Sequence, residues 1–298
     1  MNRLITLAAA AGIALAANTA QAAAPDCPNG GVVRMGVEPY DATEKLIPIY
    51  GHIAELIGKQ LDCKVEVFIA TSYNAEIEAM RNDKLELGEF GPLGYVLAHE
   101  VAQAEAVASF ANAAGKPDSY TAGIATWPGS GITKLSEVAG QSFAYADPAS
   151  TSGHLFPAYW LAKNGIDPDK GVKGYYAGSH AASYEALLNH KVMAGELNSE
   201  QIASATVSGN YQTSDFVELW RSGPIPIDPI CVHGTLPAGF KARLTVVLQN
   251  LDLSQLPAND KKIIGFNGTR LVPQTDAAFD PIRDLVHVLH IDLKKLNT

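Results

Sequence analysis

Several features that define large classes of protein are missing from this 298-residue sequence. After residue 17, no apolar run approaches the roughly 20 residues that a membrane-spanning helix needs, which argues against an integral membrane protein. There is no Gly-x-x-x-x-Gly-Lys-Ser/Thr loop, so the chain is not expected to be an ATPase. The lack of a Gly-x-Ser-x-Gly elbow weighs against a serine hydrolase of the α/β class.

Positive charge is also scarce. Lys and Arg together number 22 against 31 Asp and Glu, which gives a formal net charge of −9 at pH 7. Such an acidic surface argues against nucleic acid or an anionic membrane as the main partner. A small anionic ligand is still compatible with it, because backbone amides and hydroxyls can form an anion site without any net cation.

The first 22 residues have the composition of a secretory signal peptide. A positive charge at Arg3 precedes an apolar run from Leu4 to Ala17, and small residues lead to a predicted cleavage after Ala22. Loss of Arg3 would bring the net charge of the mature chain to −10. We expect a free periplasmic protein, because Cys27 lacks the apolar residues that precede the modified cysteine of a lipoprotein.

The chain contains three cysteines, which in an exported protein suggest one disulfide and one remaining thiol. Cys27 and Cys63 each lie just before a predicted strand near the N-terminus, and these two strands could be neighbours in one sheet. We therefore predict a Cys27–Cys63 disulfide. Cys231 follows two apolar positions in a predicted strand and is expected to be a buried thiol.

From Val32 onward, short β-rich runs alternate with amphipathic helical runs, which is the pattern of an α/β fold with mostly parallel strands. Val32–Val37 is the first predicted strand, and apolar residues at helical spacing predict a helix from Thr43 to Gln60. Turn-forming residues at 127–131 and prolines at 224–229 mark two crossings between lobes. The predicted organisation is a signal peptide at 1–22, a discontinuous lobe 1 at 23–127 and 225–298, and lobe 2 at 128–224.

Three consecutive hydroxyl residues, Ser150, Thr151 and Ser152, follow a predicted strand and precede a helix-like apolar run. A helix N-terminus leaves backbone N–H groups unpaired and carries the positive end of the helix dipole, so hydroxyls placed there suit an anion. An ordinary N-cap explains the same residues, and the triplet taken alone favours that interpretation.

A second strand-to-helix passage runs through Phe90-Gly-Pro-Leu-Gly-Tyr. Gly94 and Tyr95 lie at its predicted helix start, where glycine lets backbone amides approach a ligand closely. A tight turn with Pro92 at the first helical position explains the segment equally well. Ligands of open α/β sheets bind outside the carboxyl ends of the strands, so the helix starts at Gly94 and Ser152 are predicted to face each other across a cleft.

Four stretches of the chain, with a weaker fifth, resemble the PhnD-like family, the periplasmic substrate-binding proteins of phosphonate and phosphite importers. The stretches are Ser72-Tyr73 before its helix, Phe90 to Tyr95, Asp147 to Gly153, Ala177 to His180 and, less specifically, Ile225 to Pro229. The resemblance implies a type II binding-protein fold, with two α/β lobes around a cleft that holds a phosphonate-like oxyanion. It also implies delivery to separate ABC permease subunits, a monomeric protein and no cofactor.

The resemblance assigns a role to individual positions of this chain. Tyr73 and Tyr120 are expected to close over the ligand, and Asp228 and Glu200 match acids of the family's ligand pocket. An aspartate facing an oxyanion is tolerable if a ligand oxygen carries a proton, and a glutamate further out suits an amino group. The predicted ligand-binding residues are Tyr73, Gly94, Tyr95, Tyr120, Ser150, Thr151, Ser152, His180, Glu200 and Asp228.

Several alternatives are open at this point. A hydrolase could use the same Ser, His and Asp, although adjacent hydroxyls at a helix start suit anion capture better than nucleophile activation. A metal site is not expected, because the eight histidines are scattered and His287 with His290 has no evident third ligand. The ligand could be 2-aminoethylphosphonate, an alkylphosphonate, or an oxyanion such as phosphite or phosphate. A ligand sensor for a membrane kinase would look the same in sequence.

Overall fold

A computed structural model describes residues 26–291, so the predicted signal peptide lies outside the described residues. No helix in this range is long and apolar enough to span a membrane. The strands are β1 Val32–Val37, β2 Lys64–Ile69, β3 Leu87–Glu89, β4 Ala104–Phe110, β5 Ser119–Tyr120, β6 Gly123–Thr126, β7 Ser142–Tyr145, β8 Lys173–Tyr176, β9 Ala194–Glu196, β10 Val217–Arg221, β11 Ile225–Pro226, β12 Pro229–His233 and β13 Leu271–Pro273. The helices are α1 Thr43–Leu61, α2 Tyr73–Arg81, α3 Pro92–Ala102, α4 Phe156–Lys163, α5 His180–Leu188, α6 Ser199–Val207, α7 Ala238–Gln249, α8 Ala258–Ile263 and α9 Asp280–Val288.

Lobe 1 is formed around a sheet with the strand order β13-β4-β12-β3-β1-β2. Strand β1 lies parallel to both β2 and β3, whereas β12 runs antiparallel to β3 and β4. Leu46, Ile49 and Ile53 of α1 recur every three or four residues and are fully buried, as the spacing predicts. They belong to a core that also contains residues of β1 and α7, while α2, α3 and α9 contribute to a second core.

Lobe 2 is formed around a smaller sheet with the order β10-β6-β9-β7-β8. Strand β7 is parallel to β8 and β9, and β6 and β10 complete the sheet in antiparallel orientation. Two further apolar clusters pack in this lobe, one around Phe143 and Leu161 and the other around Tyr184 and Leu187. Two α/β lobes, each with its own sheet, confirm the predicted fold class.

The chain passes between the lobes through a two-stranded ribbon. Strand β5 pairs antiparallel with β11 over two residue pairs, and each of these short strands lies where the chain crosses between the lobes. Strand β6 belongs to the lobe 2 sheet, whereas the predicted boundary at 127/128 assigned it to lobe 1. The boundary was predicted too late because the turn-forming residues follow Thr126, while the chain enters the lobe 2 sheet at Gly123. The ribbon brings Tyr120 and Asp228 close to the cleft between the lobes.

The predicted disulfide between Cys27 and Cys63 is present, with the two Cα atoms 5.9 Å apart. It is possible because β1 and β2 pair in parallel, with Val32 opposite Lys64, which brings the segments preceding both strands together. Cys231 is the free thiol of the described residues and is fully buried in β12. Burial raises the pKa of its thiol well above the ordinary value.

Removal of the disulfide should destabilise the protein. A variant combining Cys27→Ser with Cys63→Ser should lose about 4 kcal/mol of unfolding free energy, because a crosslink over 36 residues restricts the unfolded chain. Denaturant unfolding followed by circular dichroism measures the loss. As a control on the presence of one disulfide, the unfolded wild type should expose one alkylatable thiol before reduction and three after it. Three reactive thiols without reductant would contradict the crosslink.

Candidate ligand-binding site between the lobes

A small cavity lies between the two lobes, at the carboxyl ends of their strands. The free volume between its wall side chains is about 20 Å³, enough for one or two water molecules. Lobe 1 and the crossings contribute Glu38, Tyr40, Asp41, Tyr73, Gly91, Tyr120, Asp228 and Ile263, and lobe 2 contributes Ser150, Thr151, Ser152, His180, Asn198, Glu200, Gln201 and Ser204. We call this space the hydroxyl cavity. No lysine or arginine of residues 26–291 lines it.

The three consecutive hydroxyls are buried at the wall of the hydroxyl cavity, and each already accepts a hydrogen bond from the protein. Ser150 Oγ accepts from the backbone N–H of Gly153 at 3.1 Å. Thr151 Oγ1 accepts from the N–H of Leu93 at 2.8 Å, a bond that crosses from lobe 1 to lobe 2. Ser152 Oγ accepts from the side-chain amide of Asn198 at 3.1 Å.

These bonds determine what the hydroxyls can offer a ligand. A hydroxyl has one proton to donate and two lone pairs to accept with. Protein donors use a lone pair of Ser150, Thr151 and Ser152, and each hydroxyl still has an O–H proton that it can donate to an acceptor in the cavity. Three O–H donors side by side, without fixed charge, form a site suited to an oxyanion.

The competing N-cap interpretation of the triplet is also correct. Ser150 is the N-cap of a wide helical turn at 151–155, in which the N–H of Leu155 bonds to the carbonyl of Ser150, and α4 continues from Phe156. Gly153 lets this turn pack tightly, because a Cβ there would come within 2.8 Å of the His180 ring and 2.9 Å of Ser150 Oγ. Capping and cavity lining thus involve the same serine oxygen.

His180 is the residue on the cavity wall that can carry a positive charge. Its Nε2 lies 3.1 Å from Ser150 Oγ and 3.5 Å from Ser152 Oγ, and its Nδ1 lies 3.0 Å from Glu196 Oε2. Burial lowers the pKa of the imidazole, but the nearby acids Glu196, Glu200 and Asp147 together outweigh that effect and raise it above its ordinary value. The Glu196 contact therefore favours an imidazolium whose Nε2–H points toward the hydroxyls.

Lobe 1 presents acids to the same space. Glu38 and Asp228 are both buried, and Glu38 Oε2, Asp228 Oδ1 and the Tyr73 hydroxyl have no hydrogen-bond partner among the described residues. Burial, with Asp228 and Glu89 nearby, raises the pKa of Glu38 well above its ordinary range. Burial and Glu89 do the same for Asp228. Unsatisfied buried polar atoms are costly, so a ligand that pairs with them would gain affinity.

A second cavity, also of about 20 Å³, adjoins the first and shares Tyr40, Glu200 and Asp228 with it. We call it the acidic side cavity. Its walls also include Glu89, and burial with the nearby Glu200 raises the pKa of Glu89 to about 8. Its remaining lining is Tyr50, Phe110, Asp118, Ile227, Ile264, Gly265 and Phe266.

Gly94 and Tyr95 require a correction. Helix α3 begins at Pro92 with Gly91 as its N-cap, earlier than predicted, so Gly91 borders the hydroxyl cavity in the described structure. Tyr95 points away from the cavity, where its hydroxyl donates to Asp276 Oδ1 at 2.7 Å and its ring packs on Phe279. The other predicted residues line the hydroxyl cavity, namely Tyr73, Tyr120, Ser150, Thr151, Ser152, His180, Glu200 and Asp228. Their contact with a ligand stays a prediction.

Several wall residues were missed from the sequence. Glu38 directly follows β1, and Asn198 lies two residues after β9, so the rule that ligands bind beyond strand ends could have indicated both. Glu196 is the last residue of β9, and only the tertiary structure reveals its contact with His180. Gln201 and Ser204 lie on α6, at positions without any distinctive local pattern.

The lobes also touch beside the cavity. Ser204 of lobe 2 donates to the Asp41 carboxylate of lobe 1, and Lys45 Nζ lies 2.9 Å from Ser204 Oγ and 3.3 Å from Asp41 Oδ2. Together with the Leu93 to Thr151 bond, this contact holds the lobes in a closed arrangement. The closed arrangement explains why the hydroxyl residues are almost fully buried.

Two sheet-based lobes joined by a ribbon, with a polar cavity at their interface, define a type II periplasmic binding protein. The family model described as "ABC transporter, phosphonate, periplasmic substrate-binding protein" matches residues 35–279. The chain therefore belongs to this family of substrate-binding proteins, which are not enzymes, and the resemblance found in the sequence motifs is confirmed.

The individual relatives have low sequence identity to this chain, but the alignments cover most of it. The chain is 24% identical to the phosphate-import protein PhnD of Mycolicibacterium smegmatis, over 86% of this chain and 85% of that protein. It is 27% identical to the phosphonates-binding periplasmic protein of Escherichia coli, over 71% and 64%. The structure of PhnD1 from Prochlorococcus marinus in complex with methylphosphonate has a TM-score of 0.76 and 23% identity, covering 88% of this chain and 99% of that one. At this identity the structural match supports the fold alone.

The His180–Glu196 contact predicts an altered titration when Glu196 is neutralised. In Glu196→Gln the pKa of His180 should fall, because burial lowers it and only Glu200 and Asp147 would remain to raise it. NMR titration of histidine ring resonances in the ligand-free protein measures this change. The resonance of His154, whose pKa is lowered by burial and which does not contact Glu196, serves as the internal control. An unchanged His180 midpoint would show that Glu196 does not control its charge.

Proposed function

We propose that this protein carries 2-aminoethylphosphonate, or a phosphonate with a similarly placed amine, to an ABC permease. The phosphonate would bind at the hydroxyl cavity and the ammonium at the acidic side cavity, and both spaces, about 20 Å³ in the closed arrangement without ligand, would widen to admit them. The observation that carries the proposal is that the two cavities adjoin and share Glu200 and Asp228. A ligand with an oxyanion at one end and a cation at the other matches this pairing of hydroxyl donors with acids.

The acids favour an amine over a purely anionic ligand. An ammonium has three N–H donors, and Asp228 Oδ1 and Glu89 Oε2 are buried acceptors without a partner among the described residues. Its positive charge would lower the raised pKa values of these acids, so that they bind it as carboxylates. Phosphite or phosphate would pair with the hydroxyls but would leave the side-cavity acids unsatisfied. Relatives of this chain have names that refer to phosphate, phosphonates and phosphite, so family membership alone does not select among these ligands.

The transport role follows from the family and the geometry together. Ligand contacts from both lobes would favour the closed arrangement, which is the form that a binding protein presents to its permease. We further propose that residues 1–22 direct export to the periplasm, that the mature chain acts as a monomer, and that permease and ATPase are separate proteins. The absence of a nucleotide-binding loop in the sequence supports the last point.

Isothermal calorimetry of the mature protein tests the ligand. We expect 2-aminoethylphosphonate to bind at least tenfold more tightly than methylphosphonate, because a hydrogen bond to a charged group contributes about 1.5–3 kcal/mol. Phosphite, phosphate and sulfate should bind more weakly still, and sulfate serves as the oxyanion that carries no proton. Tightest binding of phosphite would show that the side-cavity acids have been misassigned. No heat with any of these anions would reject the ligand class.

A double substitution tests the site. Ser150→Ala combined with Thr151→Ala should weaken phosphonate binding at least tenfold, because each lost donor to a charged group is worth about 1.5–3 kcal/mol. Ser136→Ala, an exposed serine of lobe 2, is the matched control and should leave the affinity as it is. Thermal melting of each variant checks the fold. Unchanged affinity in a folded double variant would refute the hydroxyl site.

A further inference from the structure

We infer that Glu38 contacts the ligand as a neutral carboxylic acid and donates its proton to a phosphonate oxygen. The inference rests on the proposed function in one respect, namely that an oxyanion occupies the hydroxyl cavity. It assigns a hydrogen-bond donor in lobe 1 that faces the three hydroxyl donors of lobe 2. Glu38 lies outside the five stretches that resemble the PhnD-like family.

The position of Glu38 is the first support. It follows β1 directly, is 3% exposed and lies on the wall of the hydroxyl cavity. Its carboxyl accepts a hydrogen bond from the backbone N–H of Gly91, and a Cβ on Gly91 would lie only 2.8 Å from Glu38 Oε1. The carboxyl is thus fixed against the N-terminus of α3. Its other oxygen, Oε2, is buried without a partner in the described chain.

The division of acids between the two cavities is the second support. Glu200 and Asp228 border both cavities, and Glu89 borders the acidic side cavity. Glu38, in contrast, borders the hydroxyl cavity and is not among the residues lining the side cavity. Its position therefore suits contact with the oxyanion and not with an amine.

Contact between Glu38 and an oxyanion requires a proton on the Glu38 carboxyl. An ionised carboxylate next to a phosphonate would repel it, whereas a protonated carboxyl offers one O–H donor. The charged or titratable groups near Glu38 are Asp228, Glu89, Glu76, Tyr73 and Tyr120, and none of them is a cation. The Gly91 N–H lowers the pKa of Glu38, but burial and the nearby acids outweigh it and raise the pKa well above its ordinary value, which favours the neutral form.

Two measurements test the inference. Carbon NMR of glutamate-labelled, ligand-free protein, assigned by the signal lost in Glu38→Gln, should show a neutral Glu38 carboxyl at neutral pH. Calorimetry with methylphosphonate, a probe without an amine, should show at least a tenfold loss of affinity in Glu38→Ala and a clearly smaller loss in Glu38→Gln. The glutamine amide can donate where the protonated carboxyl did and can still accept from Gly91.

The pH dependence supplies a third comparison. Because the neutral form binds, affinity should be fully present below the pKa of Glu38 and should decline as pH rises through it. The decline from neutral to alkaline pH should be steeper in the wild type than in Glu38→Gln, since titration of His180 and of the ligand is common to both. Glu137→Gln, a half-exposed acid of lobe 2 that does not line the cavity, should retain the wild-type profile.

The outcomes separate this inference from the proposed function. A charged Glu38 carboxyl at neutral pH overturns the inference whatever the ligand is. Equal losses in folded Glu38→Gln and Glu38→Ala also overturn it, since they would indicate that a carboxylate is required as an acceptor. Failure of the wild type to bind either methylphosphonate or 2-aminoethylphosphonate would count against the proposed function, while the NMR titration would still decide the protonation of Glu38.

Discussion

The site depends on one constraint, which is that an anion has to be held inside an acidic protein without a lysine or arginine at the cavity wall. Hydroxyl protons meet this constraint because the protein itself supplies donors to the oxygens that carry them. Gly153, Leu93 and Asn198 each donate to one member of the Ser-Thr-Ser triplet. These bonds hold each hydroxyl oxygen in place and leave it a proton to donate, which lowers the cost of organising the site on binding.

The same bonds connect recognition to lobe closure. The partner of Thr151 is a backbone N–H of the opposite lobe, so its full donor geometry is reached when the lobes meet. The contact between Asp41 and Ser204 adds a second interlobe bond beside the cavity. A ligand that binds the oriented hydroxyls would stabilise the closed arrangement at the expense of an open one, as a population shift requires.

Features of the site that depend on residues close together in the chain could be predicted from the sequence, whereas those that depend on tertiary contacts could not. The triplet and the disulfide could be predicted, because the hydroxyls are consecutive and the cysteines precede two strands that pair in parallel. Gly94 and Tyr95 were misplaced because a shift of two or three residues in a helix start turns side chains to another face. Glu196 could not be found at all, because its importance comes from a tertiary contact with His180.

The central claim is that the Ser150, Thr151 and Ser152 hydroxyls donate to one oxyanion while the side-cavity acids hold a cation. A crystal structure of the complex with 2-aminoethylphosphonate tests it most directly. We expect phosphonate oxygens about 2.5–3.0 Å from the three hydroxyl oxygens, with the ligand nitrogen between Glu89, Glu200 and Asp228. A phosphonate bound outside the hydroxyl cavity, or a ligand in the reverse orientation, would contradict it.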